Sequence, residues 1–375
     1  MVLPVTHREL KEIIRGYHKS KISLLIKGRF GIGKSAVCKD EAKAIAVEQG
    51  REFLEWNKLS ETEKLSLFDN PKKYSVYIDI RLSEYSPDDI KGLPMFLSNQ
   101  RAIEFKIPLW ALYLELQDSD GFLIFDEINL SVPLVMSSVY KIVYDRTINQ
   151  SKINPNWFIV MCGNTSEDRA YTYDIAPPLL DRCGEVELKV PVLDDWVEWA
   201  ISKKIDTRII GFLNFKYSNL WKVDFNDNQK FTTPRGWERL DCLIKEINVS
   251  DTFELLCGSS IGEGVAREFI AFCKIQEKFR LEDLIKNPKE IENIKDISIK
   301  YFLVSAVAER YGDKKLTFNK VMEISEVLDK IKNAEFVALL WKMSSNYSKG
   351  LFKKDFLNSK GDDEKLIEKY GKYLI

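Results

Sequence analysis

"GRFGIGKS", Gly28 to Ser35, follows the apolar run "ISLLI" after the single residue Lys27 and precedes "AVCKDEAKAIAVEQG", which reads as a helix. Gly28, Gly33, Lys34 and Ser35 satisfy the pattern GxxxxGK followed by Ser or Thr, and Gly31 adds one more small residue. Small residues leave backbone N–H groups open to phosphate oxygens. Gly28, Arg29, Phe30, Gly31, Ile32, Gly33, Lys34, Ser35 and Ala36 therefore form a candidate nucleotide cradle. The positive end of the helix starting at Lys34 reinforces it. Lys34 would neutralise the β and γ phosphates, and the Ser35 hydroxyl would ligate Mg2+.

Upstream, Leu10, Ile13, Ile14 and Tyr17 recur at three and four, which predicts a helix over His7 to Ser20. Downstream, "YSVYIDI" (74–80), "GFLIFD" (121–126) and "WFIVMC" (157–162) are apolar along most of their length, and "GEVELKV" (184–190) reads as a fifth strand. Such runs predict strands buried on both faces of a parallel sheet. The fold class is therefore α/β, with a parallel five-stranded sheet carrying the P-loop NTPase motif after its first strand. Residues 51–73 read as a polar surface excursion, with Ser60 and Glu63 as a capping box. Past "PVLDDW" helical patterns dominate, among them "SIKYFLVSAVAERYG", "FNKVMEISEVLDKIKN" and "AEFVALLWKMSSNY". The expected organisation is a nucleotide-binding core over 1–192, a helical lid over 193–280 and a helical C-terminal extension over 281–375.

Charge is balanced, with 56 Lys and Arg against 57 Asp and Glu in 375 residues. No overall field draws such a chain to nucleic acid or to an acidic membrane surface. The start, "MVLPVTHRELKEIIRG", lacks a signal-peptide pattern, and no stretch stays apolar for the ~18 residues of a membrane helix. A soluble cytoplasmic protein is expected. The six cysteines, Cys38, Cys162, Cys183, Cys242, Cys257 and Cys273, have no CxxC spacing and read as buried thiols.

Magnesium needs a second anchor and hydrolysis needs a group to orient water, both at the carboxyl end of a neighbouring strand. "FLIFDE" supplies Asp126 for the metal, directly or through its water shell, and Glu127 to polarise water. "VMCGN" brings Asn164 to the same edge, where its amide could hold the water or the γ phosphate. In "APPLLDRC", Arg182 lies on a short predicted helix before the fifth strand; an arginine supplied to another subunit's phosphate can be worth ~10³ to 10⁵ in rate. "TTPRGWERL" puts Arg235 at a helix start in the second domain, where it could reach back over the nucleotide.

Taken in order, "GRFGIGKS", "FLIFDEINLSVPLVMSSVYKIVYDR", "VMCGN", "PPLLDRC" and "TTPRGWE" resemble the MoxR branch of the AAA+ ATPases, of the dynein-related type, over about residues 8–275. The elements "DIRLSEYSPDDIKGLP" and "DDWVEWA" resemble a phage and prokaryotic group within it. The resemblance implies an αβα core with a helical lid, ATP between them, and subunits in a ring, commonly a hexamer. By position it makes Lys34 and Ser35 Walker A, Asp126 and Glu127 Walker B, Asn164 sensor 1, Arg182 the finger acting on the neighbouring subunit, and Arg235 sensor 2. "GLPMFLSNQRAIEFKIP" (92–108) falls where such proteins insert a hairpin facing the pore or the client. It also implies remodelling of a protein client, chaperone-like, often with a von Willebrand factor A domain protein, here a separate chain.

An AAA+ nucleic-acid motor or loader is the alternative, disfavoured by the neutral charge and the lack of a DNA-binding appendage. A GTP switch would need an Asn-Lys-x-Asp element, and "NKLS" and "NKVM" lack the aspartate. ATP held as structural glue would not need Glu127.

Overall fold

A computed structural model describes residues 4–96, 103–165, 172–223, 231–246, 252–277, 280–358, 366 and 369–373. The chain divides into two compact units, Met1–Pro191 and Val192–Ile375.

The first unit opens with β1 (Pro4–Val5) and α1 (His7–Ser20), whose start is fixed by a capping box between Thr6 and Glu9. Then come β2 (Leu24–Gly28), α2 (Lys34–Glu48), β3 (Glu52–Glu55), α3 (Glu61–Ser66), β4 (Tyr74–Arg81) and α4 (Pro87–Lys91). The strands β5 (Leu93–Phe96) and β6 (Ile103–Lys106) pair antiparallel and are followed by α5 (Leu109–Glu115). The unit finishes with β7 (Gly121–Asp126), α6 (Pro133–Asp145), the small pair β8 (Thr147–Ile148) and β9 (Ser151–Lys152), β10 (Trp157–Asn164), α7 (Pro177–Leu180) and β11 (Gly184–Leu188).

The main sheet runs β1-β11-β2-β10-β7-β4-β3, parallel throughout. It has seven strands where the apolar runs predicted five. The two additions sit at the edges, where a strand is half exposed and its sequence need not be apolar. Two-residue β1 is too short to show a pattern, and β3, "EFLE", lies at the head of the segment read as a surface excursion. The capping box at Ser60 and Glu63 is present.

Alternate residues of each strand face opposite helical layers. Leu25, Leu123, Phe125, Ile159 and Met161 join one core with Trp110 and Tyr113 of α5 and Val139 and Ile142 of α6. On the other face, His18 of α1 stacks on Phe122 and meets Phe158 edge-on. Helices on both faces make the core an αβα sandwich. Four cysteines are buried as expected, whereas Cys183 is half-buried and Cys242 is exposed, because it falls on the outer face of the helix Pro234–Glu246.

The second unit is helical: α8 (Leu193–Ser202), α9 (Thr207–Phe215), α10 (Pro234–Glu246), α11 (Phe253–Ile261), α12 (Glu263–Glu277), α13 (Leu281–Lys286), α14 (Ile297–Gly312), α15 (Phe318–Lys330), α16 (Ala334–Tyr347) and α17 (Leu351–Asn358). Trp196, Phe212, Trp237 and Phe269 share one continuous core with Leu303, Val321, Trp341 and Tyr370. Residues expected as lid and as C-terminal extension thus bury their apolar faces together. Among the described residues, no helix is long and apolar enough to cross a membrane.

In the stretch 92–108, β5 and β6 form a hairpin that projects Leu93, Met95, Phe96, Ile103 and Phe105 into solvent. Its tip, 97–102, lies outside the described residues.

Candidate functional site

Strand order decides where a ligand can sit. β2 lies between β10 and β11, so the chain reverses direction across the sheet there, and crevices at such switch points take ligands at the carboxyl ends of strands. The loop Arg29–Gly33 leaves β2 at that point.

Two glycines shape the loop for different reasons. At Gly28 a Cβ would lie 2.8 Å from the Leu188 carbonyl oxygen of β11, so the close strand pair excludes a side chain. At Gly33 there is room, but φ is +98°, a conformation L-residues avoid. Gly33 is the N-cap of α2, offers no side chain to cap it, and is followed by no acidic residue in the first turn. The helix's leading N–H groups and its positive end therefore face an anion cradle rather than a carboxylate.

Lys34, the first residue of α2, is buried. Its Nζ donates to the carbonyls of Gly28 (2.8 Å) and Arg29 (2.9 Å) and to Asn164 Oδ1 (2.9 Å) at the end of β10. The lysine and the asparagine, 130 positions apart, thus meet through the β2–β10 pairing, in which Asn164 lies beside Gly28. Asn129 fixes Asn164 in turn: its Nδ2 donates to the Asn164 carbonyl (2.7 Å), and its Oδ1 accepts from the Asn164 N–H (2.9 Å). Asn129 closes the quoted "DEIN"; its reciprocal clamp on β10 was not read from the sequence.

Asp126 ends β7, and its Oδ1 accepts from the Glu127 N–H at 2.9 Å. Glu127 has φ +58°, so this non-glycine residue is held in the left-handed region. Such strain, when the surroundings enforce it, clusters at functional positions. One Glu127 oxygen accepts from the Ser83 hydroxyl, just beyond β4. β4 also supplies Asp79, whose Oδ1 is buried without a partner among the described residues. Burial, and then the negative charge of Asp126, push the Asp79 carboxyl up to about 6. Three carboxylates thus converge at one sheet edge. Sequence reading found two of them; Asp79 and Ser83 were missed because nothing but strand register brings β4 beside β7.

His7, the first residue of α1, approaches the loop from the other side. Its Nε2 lies 2.7 Å from the Ile32 carbonyl, and since a carbonyl only accepts, Nε2 carries the proton.

The donor set suits hard, oxygen-seeking ligands. Mg2+ is ordinarily held by one or two carboxylates, a hydroxyl and phosphate oxygens, with water completing the shell. Ser35 and Asp126 offer a hydroxyl and a carboxylate of this kind. Tyr77, beneath them, donates its hydroxyl to the Ser35 carbonyl at 3.1 Å. Among the described residues there is no cluster of three or more His, Cys, Asp or Glu that could hold a metal alone, so phosphate would have to complete the shell.

Arg182 lies apart from this cluster. It sits in the turn after α7 rather than on it, exposed, two residues before β11. β11 runs parallel to β2 with Gly184 beside Leu24 and Leu188 beside Gly28. At about 3.3 Å per residue, the start of β11 is roughly 13 Å down the strand from the loop edge. Arg182 is therefore at the opposite end of the sheet from its own P-loop. Arg235 lies in the first turn of α10 in the second unit, exposed, after the buried Thr232 and Thr233.

No protein-family model matches the chain, and no curated protein matches it. Solved structures do. A putative ATPase from Cytophaga hutchinsonii is 13% identical over 65% of this chain and 75% of its own, with a TM-score of 0.29. NtrX from Brucella abortus in complex with ADP is 12% identical over 98% of this chain and 68% of its own, with a TM-score of 0.35. A point mutant of RuvB from Thermotoga maritima is 14% identical over 93% of this chain and 87% of its own, with a TM-score of 0.29.

Proposed function

We propose that the chain is an ATP-hydrolysing AAA+ enzyme of MoxR type, assembling as a ring, commonly a hexamer, that remodels a protein client. The observation that carries this reading is the Lys34 to Asn164 contact across β2 and β10, with Glu127 immediately after the adjoining strand β7. A purely structural anion site needs the loop and lysine, but not a carboxylate held under backbone strain beside them.

In this reading the loop N–H groups and Lys34 bind the β and γ phosphates, and Asn164, fixed by Asn129, stays within reach of the γ position. Ser35 and Asp126 would hold Mg2+, which when bound supplies charge neutralisation to the phosphates. Glu127 orients the attacking water and accepts its proton. Arg182, at the far end of the sheet from its own loop, serves the site of the next subunit. Arg235 on the helical lid acts as sensor 2. The exposed apolar side chains of β5 and β6, in the stretch 92–108, and a separate von Willebrand factor A domain partner belong to the client side of the same proposal, in the cytoplasm.

Steady-state phosphate release tests it. Wild type should hydrolyse ATP. Glu127→Gln should lose about 10²- to 10⁴-fold in turnover while still binding ATP, and Arg182→Ala about 10³- to 10⁵-fold. Full turnover by a monomeric Arg182→Ala protein would overturn the shared-site assignment.

A further inference from the structure

The guanidinium of Arg182 rests on the ring of Tyr144, with Cζ 3.3 Å from the ring centroid. That separation is one van der Waals thickness, so the two planar groups lie face to face. Tyr144 is half-buried in the last turn of α6, the helix that begins shortly after Glu127. The end of that helix is pinned by Arg146, which donates to the carbonyls of Asn154 and Trp157. Several other arginines are paired with carboxylates: Arg15 with Glu41 and Glu48, Arg208 with Asp206, Arg310 with Glu282. A carboxylate occupies the N–H fork and cancels the charge. A stacked ring engages only the π face and leaves the in-plane N–H donors pointing outward.

We propose that Tyr144 is a positioning residue, a platform that holds Arg182 with its charge and donor edge open for a phosphate of the neighbouring subunit. This rests on the reading of Arg182 as the residue serving that neighbour. The hydroxyl is not part of the device; the aromatic face is.

The test measures kcat and KM for Mg-ATP, and nucleotide affinity, at ring-forming concentration. Tyr144→Ala should lower kcat about 3- to 10-fold, the worth of such a contact, with KM and affinity unchanged. Tyr144→Phe should restore kcat. If the alanine variant fails to fold, Tyr144→Leu keeps bulk without the π face and should show the same loss. A mixing experiment separates positioning from a general structural effect. Wild-type subunits are mixed with Glu127→Gln subunits, or with subunits carrying Glu127→Gln and Tyr144→Ala together. Wild-type sites beside the doubly substituted neighbour should turn over about 3- to 10-fold more slowly. If Arg182→Ala is inactive but Tyr144→Ala and Tyr144→Leu are fully active, or the two mixtures are equal, the platform falls alone. If Arg182→Ala keeps wild-type turnover, the reading of Arg182 falls and the platform with it.

Discussion

Two alanine substitutions in the same glycine motif should fail for different reasons and in different assays. At Gly33 an added Cβ would meet nothing nearer than His7 Nε2 at 3.8 Å and Ala36 Cβ at 3.9 Å, so the side chain has space. The cost lies in the backbone, because φ of +98° is unfavourable for alanine by about 1–3 kcal/mol. A free loop can relax away from that conformation, but a phosphate-bound loop must keep its N–H groups convergent. Gly33→Ala should therefore weaken nucleotide affinity by about 5- to 150-fold with a modest change in melting. At Gly28 the backbone is ordinary, but the new Cβ would sit 2.8 Å from the Leu188 carbonyl and 2.9 Å from Ile32 Cδ1. Ile32 can turn its side chain aside; the carbonyl, on the strand paired with β2, cannot. Gly28→Ala should cost about 1–3 kcal/mol of packing and strand pairing. For a unit of this size that is a fall of about 2–12 °C in melting temperature. Titration with a fluorescent ATP analogue and thermal melts measure the two effects. Affinity of Gly33→Ala within about twofold of wild type would show that the left-handed glycine is not what the bound loop requires.

Three further substitutions probe the surroundings. Asn129→Ala removes the buried clamp on Asn164 and leaves the Asn164 N–H and carbonyl without these partners, costing about 2–5 kcal/mol, readable by urea denaturation; an unchanged midpoint would refute the clamp. Glu127→Gly should lose turnover as Glu127→Gln does, yet tolerate φ of +58° without strain, so of these two variants the glycine should melt higher; the reverse order would argue against strain at this position. His18 is held below its ordinary pKa of 6.5 by burial and then by the positive charge of Lys21. The unfolded chain takes up that proton first, so stability is full above about pH 6.5 and falls as pH drops toward the lower folded pKa. His18→Phe should flatten this part of the stability curve, and an unchanged acid slope in paired melts would exclude His18 as its source.

Much of the fold was legible because central parallel strands are buried on both faces, and such strands advertise themselves as continuous apolar runs. "GFLIFD" coincides with β7, and "WFIVMC" falls short of β10 only by Gly163 and Asn164. Edge strands carry no such mark. β3 is "EFLE", which differs little from the polar loop around it, and it is a strand because Glu52–Glu55 pair with Tyr74–Tyr77 of β4. The unity of the helical core was equally hidden. Each helix shows its own apolar stripe, but no local pattern says that Trp237 and Trp341 belong to the same core.

The candidate site divides along the same line. Residues whose chemistry comes from adjacent positions were readable: the glycines with Lys34 and Ser35, and Asp126 with Glu127. Asn164 was readable as the end of its strand, but residues placed only by the register between strands, such as Asp79, were not. Ser83 reaches Glu127 only because Arg81 pairs with Asp126 and the chain turns just beyond it. Tyr144 reaches Arg182 only because the end of α6 lies beside the turn after α7. Arg182 itself gains its meaning from register as well. Alone, an arginine before a strand is an ordinary surface residue. Its place at the opposite end of the β2–β11 pair from Gly28 removes it from its own loop, and stacking on Tyr144 keeps its donors unspent by any carboxylate among the described residues. In the proposed ring, a guanidinium held in that way would have its donor edge open to a phosphate of the neighbouring subunit.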